Sequence, residues 1–309
     1  MNEIESSQKL WGWKIAAYLF LAGMGGGAYV VGAVADYLSI PGGVALSQLA
    51  TVVGPGLVFV GLLFLIADLG PKGRAYLAYK KPGTSWIARG TIIISAFMIL
   101  GAINVVGWVW PLKGLATMPD IRHALGLVTC VFALGTMVYT GLLLGANKAI
   151  PFWSTAVVPL LFFVSALSTG IMALILILYF YGTLLGPVMG RQLELLASLD
   201  LYLLALEALV VYAYLQVTQR DSASRVSVKL MLRGRLSAEF WVGIIVLGLA
   251  IPLLTEVAAA LGASSAQLLL LPAASACGLL GGLFLRHVVL AAGVKAPLEV
   301  GSMTFSAQE

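Results

Sequence analysis

Asp68 stands at the mouth of a hydrophobic run, LLFLIADLGPKGR (62–74), in which six apolar residues lead into a carboxylate before Gly-Pro and two bases close the segment. A charge at the centre of a membrane helix costs about 2.5–3.5 kcal/mol on insertion scales, so the few ionisable groups in so apolar a chain are informative. Tyr18, Tyr139, Arg286 and His287 fall at a depth similar to that of Asp68 on the spans outlined below. Two phenols, a guanidinium, an imidazole and a carboxylate together supply hydrogen-bond donors and a proton exchanger within apolar walls. A ring carrying two carbonyls, such as a quinone, needs a pocket of that kind. A plainer reading stays open: Asp68 caps a neighbouring helix or pairs with Arg286, and the tyrosines belong to an interfacial aromatic belt.

A second constellation lies on one later span. Asp200, Glu207 and Tyr214 are seven residues apart, which places them nearly in line along one helix face. Glu207 falls close to mid-membrane, and Glu256, Ser165, Ser168 and Thr169 on neighbouring spans could extend a polar path. A proton relay and an inter-helix hydrogen bond are equally consistent with that stripe. Hydroxyls on membrane helices commonly bond their own backbone or join helices.

The elements that must position these groups are membrane helices. Of the 309 residues, 61% are hydrophobic and 10% charged, with mean hydropathy +1.01, whereas soluble domains carry about 25% charged residues. Eight continuous apolar runs are predicted as spans, at roughly 14–38, 47–69, 88–110, 122–145, 154–181, 195–218, 238–261 and 268–293. Barrel strands would alternate over short segments instead. The first run is expected to be retained, since its apolar region exceeds the ~7–15 residues of a secretory signal despite the small-residue AVAD at 33–36.

Charge sets the expected orientation. Fourteen Lys and Arg gather on the side of the N-terminus, against Lys113, Arg122 and Arg191 on the other, with Arg286 inside the last span. The positive-inside rule then puts both termini in the cytoplasm of a multi-pass inner-membrane protein. The basic balance reads as topology, and nucleic acid is not an expected partner.

Other chemistries are disfavoured. His123 and His287 lie near opposite faces, so they do not supply the paired histidines of a membrane haem. Cys130 and Cys277 stand singly within apolar spans and read as small buried hydrophobes. No haem, iron–sulfur cluster or metal site is expected in this chain. GMGGGA at 23–28 sits inside a span with no preceding strand, and close helix packing explains it better than a nucleotide loop.

Several segments resemble a known family. WGWKIAAYLFLAGMGGGAY (11–29), LIADLGPKGRAY (65–76), YTGLLLGANKAIPFWSTAVVPLLFFVSALSTG (139–170), EFWVGIIVLGLAIPLL (239–254) and GGLFLRHVVLAAG (281–293) occur in the order found in the NrfD family. Its members are the membrane subunits of polysulfide-reductase-like complexes. The resemblance covers nearly the whole chain, and the 139–170 and 281–293 blocks carry most of its specificity. It implies an all-α integral membrane protein of eight helices in two four-helix bundles, about 1–150 and 151–309, within a single membrane domain. It further implies electron exchange between menaquinone or ubiquinone and a ferredoxin-like iron–sulfur subunit. That subunit serves a catalytic subunit, often a molybdopterin enzyme.

The family's quinone site lies among the first four helices, near the face where the N-terminus emerges. By position Asp68 and Tyr139 match the aspartate ending helix 2 and the tyrosine of the YTG block. Tyr18 departs from the pattern, falling where related subunits can carry a histidine. In the best-known arrangements this face is periplasmic, whereas the charge count turns it to the cytoplasm, so cytoplasmic partners are expected. Two alternatives compete: a secondary transporter with inverted repeats and a midplane site around Glu207, and a passive anchor without quinone chemistry.

Overall fold

The computed structural model describes residues 11–69, 76, 78–80, 82–108, 114, 117–185, 190–219, 221–261, 270–296, 298–300 and 303–305. Among these, eight helices are long and apolar enough to cross a membrane. They are α1 Trp13–Tyr37, α2 Gly43–Asp68, α3 Trp86–Trp108, α4 Pro119–Gly145, α5 Val157–Leu185, α6 Gly190–Thr218, α7 Glu239–Ala260 and α8 Leu271–Ala291. The protein is a multi-pass, helical membrane protein. Helices satisfy their own backbone groups, which a bilayer core cannot do for them. Outside the spans, a short helix (Ser222–Leu232) follows α6, capped by the Asp221 carboxylate, and a two-stranded hairpin pairs Leu298–Val300 with Met303–Phe305. Of the bases used to judge orientation, Lys9, Lys72, Arg74, Lys81, Lys113 and Arg220 lie outside the described residues.

Helix starts and bends follow the prolines. Pro119 and Pro272 occupy first-turn positions of α4 and α8, where a missing N–H costs nothing. Pro55 sits inside α2 and is packed against Gly101 of α3. In α7 the first half, Glu239–Ala250, is a π-helix, and α-helical winding resumes at Ile251–Ala260, where Pro252 occupies the first turn.

α1 is the central element. In its most apolar window 78% of residues are buried, compared with 33% for α2 and 28% for α7. It packs on α2, α4, α5 and α8; α3 packs on α2 and α4, while α5 to α8 contact one another in sequence and α8 returns to α5. The outer helices present Phe59, Leu63, Ile99, Leu209 and Leu254 as exposed apolar side chains, suited to lipid.

The glycine run of α1 makes this centrality possible. A Cβ on Gly25 would meet the Gly54 carbonyl and Val58 of α2, and one on Gly26 would meet Met137 and the Ala133 carbonyl of α4. A Cβ on Gly27 would overlap the Ala166 carbonyl of α5. Successive helical residues turn by about 100°, so adjacent glycines serve different neighbours. Gly27→Leu is expected to destabilise the protein by about 1–3 kcal/mol or more through overpacking against backbone. Gly56→Leu, whose Cβ meets open space, should change little. Thermal unfolding in detergent compares the two, and equal midpoints would contradict the packing argument.

Candidate functional site

Tyr18 and Tyr139 come together. Both are buried, at 3% and 5% exposure, within the main core cluster, and they lie within electrostatic reach of each other. α3 closes over the pair: a Cβ on Gly90 would overlap the Tyr139 ring. From α2, Gly61 faces the Tyr18 backbone carbonyl. All four of the first helices therefore meet around the two tyrosines. Among the described residues, neither phenol makes a hydrogen bond. Two hydroxyls on buried residues thus have no hydrogen-bond partner among the described residues.

Asp68 is at the rim. Its side chain is 32% exposed and lies 3.7 Å from Lys14 Nζ, one turn before Tyr18 on α1. A carboxylate at a helix C-terminus is opposed by the helix dipole, and Lys14 offsets that repulsion. So exposed a pair contributes only ~0–1 kcal/mol. Asp68 does not pair with Arg286, as the plainer sequence reading allowed.

Arg286 belongs instead to the second half of the chain. Its guanidinium is buried, with Nη1 donating to Ser165 Oγ at 2.7 Å and Nη2 to the Phe162 carbonyl at 3.1 Å. It also lies 4.6 Å from the centre of the Phe162 ring. Glu207 is beside Ser165 and within electrostatic reach of Arg286. His287, the next residue, turns away: its Nδ1 lies 2.6 Å from Glu239 Oε2, and its ring stacks on Trp13 at 3.7 Å. The five groups predicted at one depth thus fall into a phenol pair, a rim ion pair, a buried arginine and a histidine–glutamate contact.

The stripe on α6 faces inward, with Asp200, Glu207 and Tyr214 all buried. Asp200 is adjacent to Ser168 and Glu256. Both Asp200 oxygens, Glu256 Oε2 and Ser168 Oγ are buried, and none makes a formed hydrogen bond among the described residues. A cavity of about 10 Å³ lies next to Glu207, lined by Ser168, Thr169 and glycines of α7 and α8. That is about the space of one water. Thr169 bonds the Ser165 carbonyl of its own helix at 2.6 Å, the ordinary use of a membrane hydroxyl. Tyr214 donates to the Phe152 carbonyl at 2.8 Å and so ties α6 to the α4–α5 connection.

The family described as Polysulphide reductase, NrfD, matches residues 2–297. The chain belongs to the NrfD family. This NrfD protein is 30% identical over 268 residues to a polysulfide reductase chain of Wolinella succinogenes, covering 81% of this sequence and 83% of the other. It is 26% identical to protein NrfD of Escherichia coli over 92% and 95% of the two sequences. A selenate reductase subunit of Mesobacillus selenatarsenatis is 24% identical over 66% of this sequence and 58% of its own.

Sequence reasoning misses three groups in this NrfD protein. Glu239 reads as a span boundary, although it lies on the same side as His287. Gly90 gives no signal, because its role is only to leave room for a ring. Asp36 reads as part of a cleavage-like AVAD, yet it ends α1 at the depth where Arg122 and His123 begin α4.

The Arg286–Glu207 relation is open to a double-mutant cycle. Arg286→Met alone leaves Glu207 buried without its cation and is expected to cost about 3–5 kcal/mol. Adding Glu207→Gln should restore most of that. Thermal melts of the two single variants and the double variant read the coupling, and strictly additive losses would show that the pair does not interact.

Proposed function

We propose that this protein is the quinone-reactive membrane subunit of a multi-subunit oxidoreductase, with its quinone pocket at Tyr18 and Tyr139. The observation that carries the reading is the pair of buried tyrosines, whose hydroxyls make no hydrogen bond among the described residues. Each can donate to a carbonyl oxygen of the ring. Quinone takes up two electrons and two protons to become quinol, and quinol oxidation reverses this. The electrons are exchanged with a ferredoxin-like iron–sulfur subunit docked at the same face, itself serving a catalytic subunit that fits a molybdopterin enzyme. This chain would not be the catalytic subunit. The relatives named for polysulfide and selenate reductases support a place in such a complex.

Asp68, with Lys14, is the group through which the pocket exchanges protons with water at the rim. Arg286 and His287 stand behind it on α8, His287 holding Trp13 over the entrance and Arg286 contributing a fixed positive charge. The buried series Asp200, Glu256 and Glu207, extended towards Tyr214, is the candidate proton path through the second half of the chain. Water-sized space next to Glu207 supports protons over larger solutes, which disfavours the transporter reading. The chain is read as two four-helix groups, about 1–150 and 151–309, in one domain, with α1 packed on helices of both. The distribution of bases supports a place in the inner membrane with both termini, and the partner subunits, on the cytoplasmic side.

In the purified complex, Tyr139→Phe and Tyr18→Phe are each expected to slow quinol-linked reduction of the iron–sulfur centre by about tenfold, the worth of one lost hydrogen bond to the ring. Assembly should be unchanged. Gly90→Ala should act in the same direction by displacing the Tyr139 ring, and Asp68→Asn should act more weakly. Full rates in both phenylalanine variants would overturn the pocket and favour the passive anchor. Solute uptake by the isolated protein in vesicles would favour the transporter.

A further inference from the structure

At the other end of α1 lies a cavity with a polar corner, whose Asp36 is separated from Tyr18 by 18 residues of helix. That is roughly 27 Å at 1.5 Å per residue. The cavity measures about 240 Å³ and is enclosed by the C-terminal halves of α1 and α3 and the N-terminal halves of α2 and α4. At one side of it Asp36 receives Arg122 through two bonds, Nε to Oδ2 at 2.6 Å and Nη2 to Oδ1 at 3.0 Å. His123 Nε2 lies 3.5 Å from Asp36 Oδ1, buried, with no hydrogen bond made among the described residues. Elsewhere in the lining, Asn104 donates to Thr129 Oγ1 at 3.0 Å and to the Leu100 carbonyl at 2.9 Å, and Tyr29 is beside Thr129. Tyr37, Ser47 and Thr51 add hydroxyls, and the rest of the wall is mostly apolar.

A larger apolar groove of about 530 Å³ adjoins it on the other flank of α1, between α1, α2, α5 and α6. Val30, Val34 and Leu38 line both spaces, so the cavity and the groove meet along one ridge of α1. A chamber with a polar corner beside an apolar groove fits a lipid with a compact head and a long tail. The chamber discriminates among heads: the Arg122 guanidinium is already paired with the Asp36 carboxylate, which a phosphate would have to displace. Its remaining offer is an imidazole nitrogen, the Asn104 amide oxygen and the Tyr37 phenol, which suit an uncharged ring with carbonyl or hydroxyl oxygens.

We infer that this cavity and groove form a second binding site for an isoprenoid quinone, with the ring beside His123 and Asn104 and the tail along the α1–α6 groove. The site itself follows from the geometry; the choice of quinone among uncharged ring-headed lipids rests on the proposed function. A chamber slightly smaller than the ~300–1,000 Å³ of drug-sized ligand sites is appropriate for a ring whose tail lies elsewhere. The protein would then hold quinone at both faces of the membrane.

Gly126 provides the test. It lines the cavity, and a Cβ there meets nothing within 4 Å, so Gly126→Phe fills the chamber without forcing helices apart. Gly56→Phe, also facing open space but outside the cavity, is the control. The full-length protein in its native complex is photolabelled with an azido-quinone bearing an isoprenoid tail, and labelled peptides are mapped. Label on 29–37 and 122–134, reduced at least about tenfold by Gly126→Phe and unaffected by Gly56→Phe, with label near Tyr139 retained, is the expected result. Label near Tyr139 alone would overturn the second site and leave the proposed function standing. Label at neither place would overturn both. A phospholipid that co-purifies with the wild type and is lost in Gly126→Phe, without azido-quinone labelling at 29–37, would overturn quinone as the occupant.

Discussion

The structure depends on how closely other helices approach α1. In a bilayer no hydrophobic force draws helices together, since lipid tails are as apolar as leucine, and association rests on packing and hydrogen bonds. Gly25, Gly26 and Gly27 let the backbones of α2, α4 and α5 come within reach on three sides of one turn. Gly23, one turn before Gly27 on the same face, meets the Ala166 side chain, and its would-be Cβ lies 3.6 Å from Arg286 Nη2. The same small residues that close the packing therefore leave the volume in which a buried guanidinium is held. A bulkier α1 would disturb contacts and charge together.

From that constraint follow two polar systems with different characters. The phenol pair in the first four helices carries hydrogen-bond donors and no formal charge. The α5–α8 system carries Arg286, Glu207, Asp200 and Glu256, all buried. Burying so many ionisable groups is costly unless they compensate one another; one cation offsets one carboxylate, and Glu207 is the carboxyl within electrostatic reach of Arg286, whereas Asp200 and Glu256 adjoin each other. The two systems are joined through α1 and α5, since Arg286 is anchored on the Phe162 carbonyl and Ser165 while touching the α1 glycine face. Electrostatic interactions weaken slowly across such an interior. On the proposed function, a change of charge in the quinone pocket is felt at Arg286 without any large motion.

Depth along each helix is legible in the sequence, and direction around each helix only partly so. The eight predicted runs coincide with the helices to within a few residues, because length and hydropathy are one-dimensional properties. The seven-residue spacing of Asp200, Glu207 and Tyr214 correctly puts them on one face, because that relation is internal to one helix. The packing role expected of the glycine run is the one the structure shows. Which helix a face meets is a different matter. Arg286 and His287 share a depth, yet a turn of about 100° between neighbours sends one to α5 and the other to Glu239 and Trp13. Shared depth likewise suggests Arg286 as a partner for Asp68, whose partner is Lys14 on α1. The Asp36–Arg122 contact gives no sequence signal because its members are 86 residues apart and each reads as an ordinary span-end charge.

The exposure of Asp68 divides the work at the proposed quinone pocket. A carboxylate a third open to water and paired with a half-exposed lysine is screened, so it gives little orientation to a ring buried among helices. It remains in contact with the solvent. The tyrosines have the opposite properties: both are shielded from water and the Tyr139 ring is fixed against Gly90, so on the proposed function their hydrogen bonds would orient a ring strongly, while any proton they pass would be replaced from elsewhere. Neither kind of group would suffice alone. A buried donor pair holding the ring, backed by a wet carboxylate at its mouth, separates recognition from proton exchange, and it gives the carboxylate at the end of LLFLIAD a reason to stand at the boundary rather than inside.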